Sequence, residues 1–242
     1  MVLIRQPLAQ AEVETLRVRR AAPPTRVQES SPIHVDEDAT EYEAMVGRHA
    51  WLLNWPFVEM LSRLGLRHGR VLDVGTGPGL IPVELARRNP GLEIWALDAS
   101  DDMLEQGRMR AERAGVGERV RFIRGDATDL PFDDGHFDLC TSHFMLHHIE
   151  RPESLFDEMA RVTRGGGRIV IKDLVRQASW KRRVLLAFSR LALGYSPEQL
   201  RMYDESLGSA LSMDEVRGAL SRSRLCMARV RGFRGLDYVI ES

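Results

Sequence analysis

At 242 residues, with 43% hydrophobic and 29% charged composition, the chain reads as a globular protein with material for one large domain plus attachments, which excludes the fibrous and low-complexity classes. A formal net charge of −1 supplies no global electrostatic pull toward nucleic acid or an anionic membrane, leaving only local patches to argue for either. The two cysteines, Cys140 and Cys226, lie far apart in apolar stretches and suggest neither a disulfide framework nor a zinc motif.

No apolar run approaches the roughly 18 to 20 residues of a membrane span, and the N-terminal stretch lacks the apolar centre of a secretory signal, so a cytoplasmic location is expected. Residues 1–39, with Pro23, Pro24 and Pro32 and no sustained period, read as an extended or disordered arm. Cap helices are expected over 40–69: Thr40 and Glu43 form a capping box ahead of Met45 and Val46, and Asn54 with Pro56 opens a second helix through Leu64.

From Arg70 the pattern changes to short apolar runs alternating with helical stretches, the signature of βα units in a mostly parallel, doubly wound α/β sheet. Five strands are expected, over 71–75, 93–98, 120–126, 137–142 and 168–174, several of them apolar on successive residues as strands covered on both faces are. Residues 175–211 interrupt the rhythm with a basic cluster (Lys181, Arg182, Arg183), an apolar run and a capping box at Ser196 and Gln199, and are expected to form an inserted helical lid. Ser212 and Glu215 cap a further helix. Strand-like runs 226–233 and 236–241 then flank Arg234-Gly235, a two-residue hairpin turn that would make the last strand antiparallel. The scarcity of lysine, confined to Lys172 and Lys181, reads as codon usage or thermal adaptation.

The chemistry concentrates where strands end. Asp73-Val74-Gly75-Thr76-Gly77-Pro78-Gly79 joins a buried strand to a helix; its glycines let a ligand approach the backbone and the helix start offers free N–H groups. The spacing GxGxG differs from the dinucleotide fingerprint, and Asp73 within the turn would repel a diphosphate yet accept hydrogen bonds from an ammonium. Asp98 ends the second strand, where a carboxylate can accept both hydroxyls of a ribose, or else cap the next helix. Gly125, Asp126 and Ala127 follow the third strand, where an adenine edge can be read, and Met103 is placed to pack on the base.

These motifs, with ALDAS around Asp98 and Ala99, GDATDLPFDDGHFDLCTS, and LHHIERPESLFDEMARVTRGGGRIVI, resemble the class I S-adenosylmethionine-dependent methyltransferases, in particular the small-molecule branch that includes ubiquinone and menaquinone biosynthesis enzymes. The likeness runs from about Arg70 to Leu174, departing from the family in having Arg164 before the glycines where a proline is usual. It implies a seven-stranded sheet whose last strand is antiparallel, S-adenosylmethionine as cofactor, and a methionine-moiety site at Asp73, Gly75, Thr76 and Gly77. It also implies a ribose site at Asp98 with Ala99, an adenine site at Gly125, Asp126 and Ala127, and Ser142 and His143 beside the sulfonium.

His143 and His147 are candidate general bases, since a neutral imidazole titrates near working pH, although a structural or cofactor-contacting role is favoured; with Asp173 they would make a three-ligand metal site, and none is expected. A small-molecule acceptor is favoured over nucleic acid, because the cluster Lys181 to Arg183 lacks interleaved aromatics. Tyr42, Trp51, Trp55, Tyr195 and Tyr203 are candidate walls of the acceptor pocket, and a homodimer is compatible with the chain. The competing readings are a nicotinamide-dependent oxidoreductase and a nucleoside-binding protein without turnover.

Overall fold

The computed structural model describes residues 26–27 and 54–242. The capping box at Thr40, with Tyr42, Met45, Val46 and Trp51, lies outside the described residues. A helix does start at Asn54: α1 (Trp55–Ser62) carries Pro56 in its first turn and buries Phe57, Val58 and Leu61.

The Rossmann-like core follows as β1 (His68–Val74), α2 (Leu80–Arg88), β2 (Gly91–Asp98), α3 (Asp101–Arg113), β3 (Val120–Arg124), β4 (Phe137–His143), α4 (Pro152–Val162) and β5 (Thr163–Leu174). Two helices, α5 (Ser179–Ala192) and α6 (Pro197–Ser209), separate β5 from α7 (Met213–Ser221), β6 (Arg229–Phe233) and β7 (Asp237–Glu241). The seven-stranded sheet has the order β3-β2-β1-β4-β5-β7-β6. Strands β1 to β5 pair in parallel, while β7 runs antiparallel between β5 and β6. Because the chain moves from β1 outward through β2 to β3 and then returns to place β4 on the other side of β1, the sheet has its switch point between β1 and β4.

Strand alternation divides the core into two layers. Leu72, Val74, Trp95, Leu97, Ile169, Ile171, Tyr238 and Ile240 pack with α4 and α7 residues such as Phe156, Met159, Val216 and Leu220 on one face. Their neighbours Val71, Ile94, Ala96, Val170 and Val239 pack with Phe57, Leu61, Ile81, Val83 and Ala111 on the other. Both faces being covered explains why these strands read as continuous apolar runs.

Local signals act as expected at the helix starts: Ser196 with Gln199 and Ser212 with Glu215 each form a reciprocal capping box at α6 and α7. The terminal hairpin differs by one residue. Phe233 pairs with Asp237, so Arg234, Gly235 and Leu236 make the turn, with Arg234 and Gly235 both at positive φ (50° and 76°). The expected strand over 226–233 also starts late, because residues through Ala228 are spent on turns carrying the chain from α7 to the sheet edge.

Candidate active site

The Gly-rich turn is anchored to the neighbouring strand. Gly75 N and Thr76 N both donate to Leu97 O, at 2.8 and 2.9 Å, which aligns the carboxyl end of β1 with that of β2. Gly75, Gly77 and Gly79 all have positive φ (69°, 52° and 74°), a conformation that a side chain strains. A Cβ at Gly75 would collide with the Met145 side chain that covers it, whereas the space around a Cβ at Gly77 is open within 4 Å, so bare backbone lines the turn at Gly77.

Asp73 is buried beneath this turn. Its Oδ2 accepts from the Thr76 hydroxyl at 2.7 Å and its Oδ1 from the Thr141 hydroxyl at 2.8 Å. Burial pushes its carboxyl up to about 6; the two hydroxyl bonds oppose that shift and the nearby Asp98 adds to it. Asp98, half-buried at the end of β2, accepts from Gly77 N at 2.7 Å through Oδ2 and from Ser100 N at 3.0 Å through Oδ1. The helix-cap role that competed for Asp98 belongs to Ser100, whose Oγ accepts from Met103 N. Ala99 is exposed between them.

Gly125 N donates to Asp98 O at 3.0 Å, joining the third strand end to the second. The exposed Asp126 folds its Oδ1 onto Thr128 N and Oγ1, both at 2.7 Å, and Ala127 packs on the core beside it. Met103 is 3% exposed and sits in the core layer rather than on the surface of α3. At the end of β4, the Ser142 hydroxyl is buried without a hydrogen-bond partner among the described residues. A groove of about 820 Å³ between α1, α2 and α3, lined by Trp55, Val83, Arg87, Gln106 and Arg110 among others, includes none of the expected cofactor residues.

His143 and His147 do not converge on one site. In register across β4 and β5, His143 Nε2 lies 3.3 Å from Lys172 Nζ, and its ring stacks on Phe57 at 4.7 Å. Burial first, and then the Lys172 ammonium, hold the His143 imidazole well below its ordinary 6.5. His147 instead places Nδ1 2.7 Å from Asp173 Oδ1, both residues being buried. Among the described residues no three His, Cys, Asp or Glu side chains gather as metal ligands.

Lys172 is the residue that sequence reasoning passed over. Only 2% exposed, it pairs with Asp237 Oδ2 at 2.8 Å and lies beneath the Phe144 ring at 4.2 Å. Burial lowers its pKa and Asp237 resists that shift. The available signal was a lysine inside the apolar run RIVIKDL, where a strand covered on both faces has no solvent to receive an ammonium. Asp237, on the antiparallel β7, has no sequence signal that pairs it with Lys172.

Lys172→Met is expected to cost about 3–5 kcal/mol in urea denaturation, because it strands a buried carboxylate whose Oδ1 already lacks a partner among the described residues. The double variant Lys172→Met/Asp237→Asn should recover most of that loss. It should also raise the His143 pKa, read by NMR titration, since the nearby cation is gone; an unmoved His143 would show that burial alone sets it.

Residues 72–171 match the family model described as a methyltransferase domain. A demethylmenaquinone methyltransferase of Clavibacter sepedonicus is 46% identical over 102 residues, covering 42% of this chain and 40% of that protein. A ubiquinone/menaquinone biosynthesis C-methyltransferase of Azotobacter vinelandii is 37% identical over 117 residues, 48% of this chain and 46% of that protein. The chain therefore spans less than half the length of these relatives. The crystal structure of a methyltransferase from Aquifex aeolicus shares the fold, with a TM-score of 0.60 and 19% identity over 84% of this chain and 96% of the other. The alternative of a nicotinamide-dependent oxidoreductase is not favoured, since its all-parallel sheet differs from one with an inserted antiparallel strand. Residues 72–171 are thus similar to the methyltransferase domain, and the chain shares its fold with an S-adenosylmethionine-dependent methyltransferase.

Proposed function

We propose that the protein binds S-adenosylmethionine across the carboxyl ends of β1 to β4 and transfers its methyl group to a small-molecule acceptor by in-line displacement. One observation carries this reading: Asp73, Gly75, Gly77, Asp98, Gly125 and Ser142, which span 70 residues of sequence, line up along the carboxyl ends of the adjacent strands β3, β2, β1 and β4, beside the switch point. The donor set fits the cofactor: bare glycine backbone, a buried carboxylate facing a cationic amino acid, a second carboxylate for ribose hydroxyls, and an orphan hydroxyl at Ser142. Thr76, Ala99, Met103, Asp126 and Ala127 complete the proposed cofactor site, Met103 by supporting the wall from the core.

S-adenosylmethionine supplies a methyl group already activated on a sulfonium, so the protein's work is alignment and exclusion of water. Phe57 and Phe144 flank His143 at the end of β4 and provide that dry wall. With Lys172 donating to Nε2, the His143 ring proton resides on Nδ1, which suits the residue to orienting an oxygen substituent of the acceptor molecule by donation. In this reading His143 contacts the acceptor, and His147, held by Asp173, is a positioning residue for the turn 146–148. The segment 175–211 is proposed as a lid, with Tyr195 and Tyr203, whose rings are 6.2 Å apart, on its α6 side.

The likeness to a demethylmenaquinone methyltransferase and to a ubiquinone/menaquinone biosynthesis C-methyltransferase supports a quinone-type acceptor methylated at carbon. Calorimetric titration with S-adenosylmethionine, S-adenosylhomocysteine and NADH tests the cofactor assignment: micromolar binding of the first two alone is expected, and binding of NADH alone would overturn it. Turnover of a demethylated quinol, followed by mass gain of one methyl, separates this enzyme reading from a nucleoside-binding protein.

A further inference from the structure

Helix α5 is amphipathic with its apolar side turned outward. Of its fourteen residues, SWKRRVLLAFSRLA, only Ser189 is fully buried. Trp180, Val184, Phe188 and Leu191 are 64, 59, 56 and 86% exposed. At 100° per residue these four fall within an arc of about 80°, a continuous apolar stripe, and Ser189 lies on the opposite side. Lys181 projects from one flank of the stripe, and Arg183 and Arg190 from the other, all three exposed. Scattered apolar residues on a surface need no explanation, but four in register on one helix do.

The inner side is accounted for. Arg182 pairs with Asp204 of α6, bonding both its carboxylate and its carbonyl, so α5 is held in place without the stripe. α6 in turn contacts the turn 146–148 beside the proposed site.

We propose that α5 docks the protein on an anionic lipid bilayer, its apolar stripe entering the acyl boundary and its flanking cations meeting lipid phosphates. Charge decides between this occupant and a second copy of the chain. The helix holds four basic residues and no acidic one, so twofold pairing of the stripe would oppose like charges, whereas an anionic surface complements them. The near-neutral net charge of the whole chain makes this a local device of the helix.

The full chain is tested by co-sedimentation with phosphatidylcholine vesicles that carry phosphatidylglycerol, against phosphatidylcholine alone. Partition onto the anionic vesicles only, weakened by added salt, is expected. Phe188→Glu and, independently, Leu191→Glu should each reduce it about tenfold or more, and Arg183→Glu severalfold, with unchanged thermal melting. Equal partition of wild type and both stripe variants, or no partition of wild type, would overturn the proposal. So would a dimer, seen by light scattering, that Leu191→Glu dissociates. The assay needs no cofactor, so its failure leaves the methyltransferase reading intact and the reverse also holds.

Discussion

Asp98→Ala is expected to weaken S-adenosylhomocysteine binding about 100- to 1000-fold by calorimetry while leaving the fold intact. Two losses combine in that figure. The carboxylate is proposed to accept the ribose hydroxyls, and charge-assisted hydrogen bonds contribute about 1.5–3 kcal/mol each. The same carboxylate also holds Gly77 N at 2.7 Å and Ser100 N at 3.0 Å, so alanine loosens Gly77 before any ligand arrives, while the Gly75 and Thr76 bonds to Leu97 O keep the turn on β2. Asp98→Asn separates the two: its amide oxygen still accepts from Gly77 N, so the turn should hold while the charge is lost, and the affinity should fall less than in the alanine variant. Binding unchanged in Asp98→Ala would remove the ribose assignment.

Asp73→Asn is expected to move stability and affinity in opposite directions. The Asp73 carboxyl sits near 6 in the folded protein, raised chiefly by burial from an ordinary 3.8. A raised carboxyl holds its proton longer in the folded state than in the unfolded one. Its contribution is therefore fully present below about pH 4 and is lost as pH rises through about 6, leaving the ionised group as a cost at neutral pH. A gap of about two units corresponds to about 3 kcal/mol, so the neutral asparagine should stabilise the ligand-free protein by about 1–3 kcal/mol at pH 7.

That cost has a use if the group faces a cationic ligand. An ammonium favours the ionised form, so wild-type affinity for S-adenosylmethionine should decline as pH falls through about 6, and the asparagine variant should bind about 10- to 100-fold more weakly with that dependence flattened. Urea denaturation and calorimetry between pH 5 and 7.5 measure both effects. A variant that is destabilised, or whose binding keeps the wild-type pH slope, would show that Asp73 serves only to brace Thr76 and Thr141.

The proposed cofactor half of the site is legible from local rules. Each motif residue there sits at or just after the end of its own strand, so reading the strand places the residue, and parallel pairing brings the strand ends to one edge. The proposed acceptor half is different in kind. His143, Lys172, Asp237 and Phe57 come from β4, β5, β7 and α1, and their meeting depends on β7 inserting antiparallel beside β5 and on α1 closing over β4. No spacing within the chain encodes such a meeting. The two candidate histidines show the limit most directly: four residues apart, they suggest one shared site, yet the turn through Phe144, at φ 54°, sends one to Lys172 and the other to Asp173.

The sequence by itself determined the α/β class, the strand ends, the helix caps and the glycine turn, because each rests on periodicity, steric freedom or hydrogen bonding within a few residues. Only the tertiary structure decided that a lysine lies buried against Asp237, and that α5 turns its apolar stripe outward. Burial is a property of what packs against a segment, and an amphipathic pattern has the same period whether its apolar side meets a core or faces away from it.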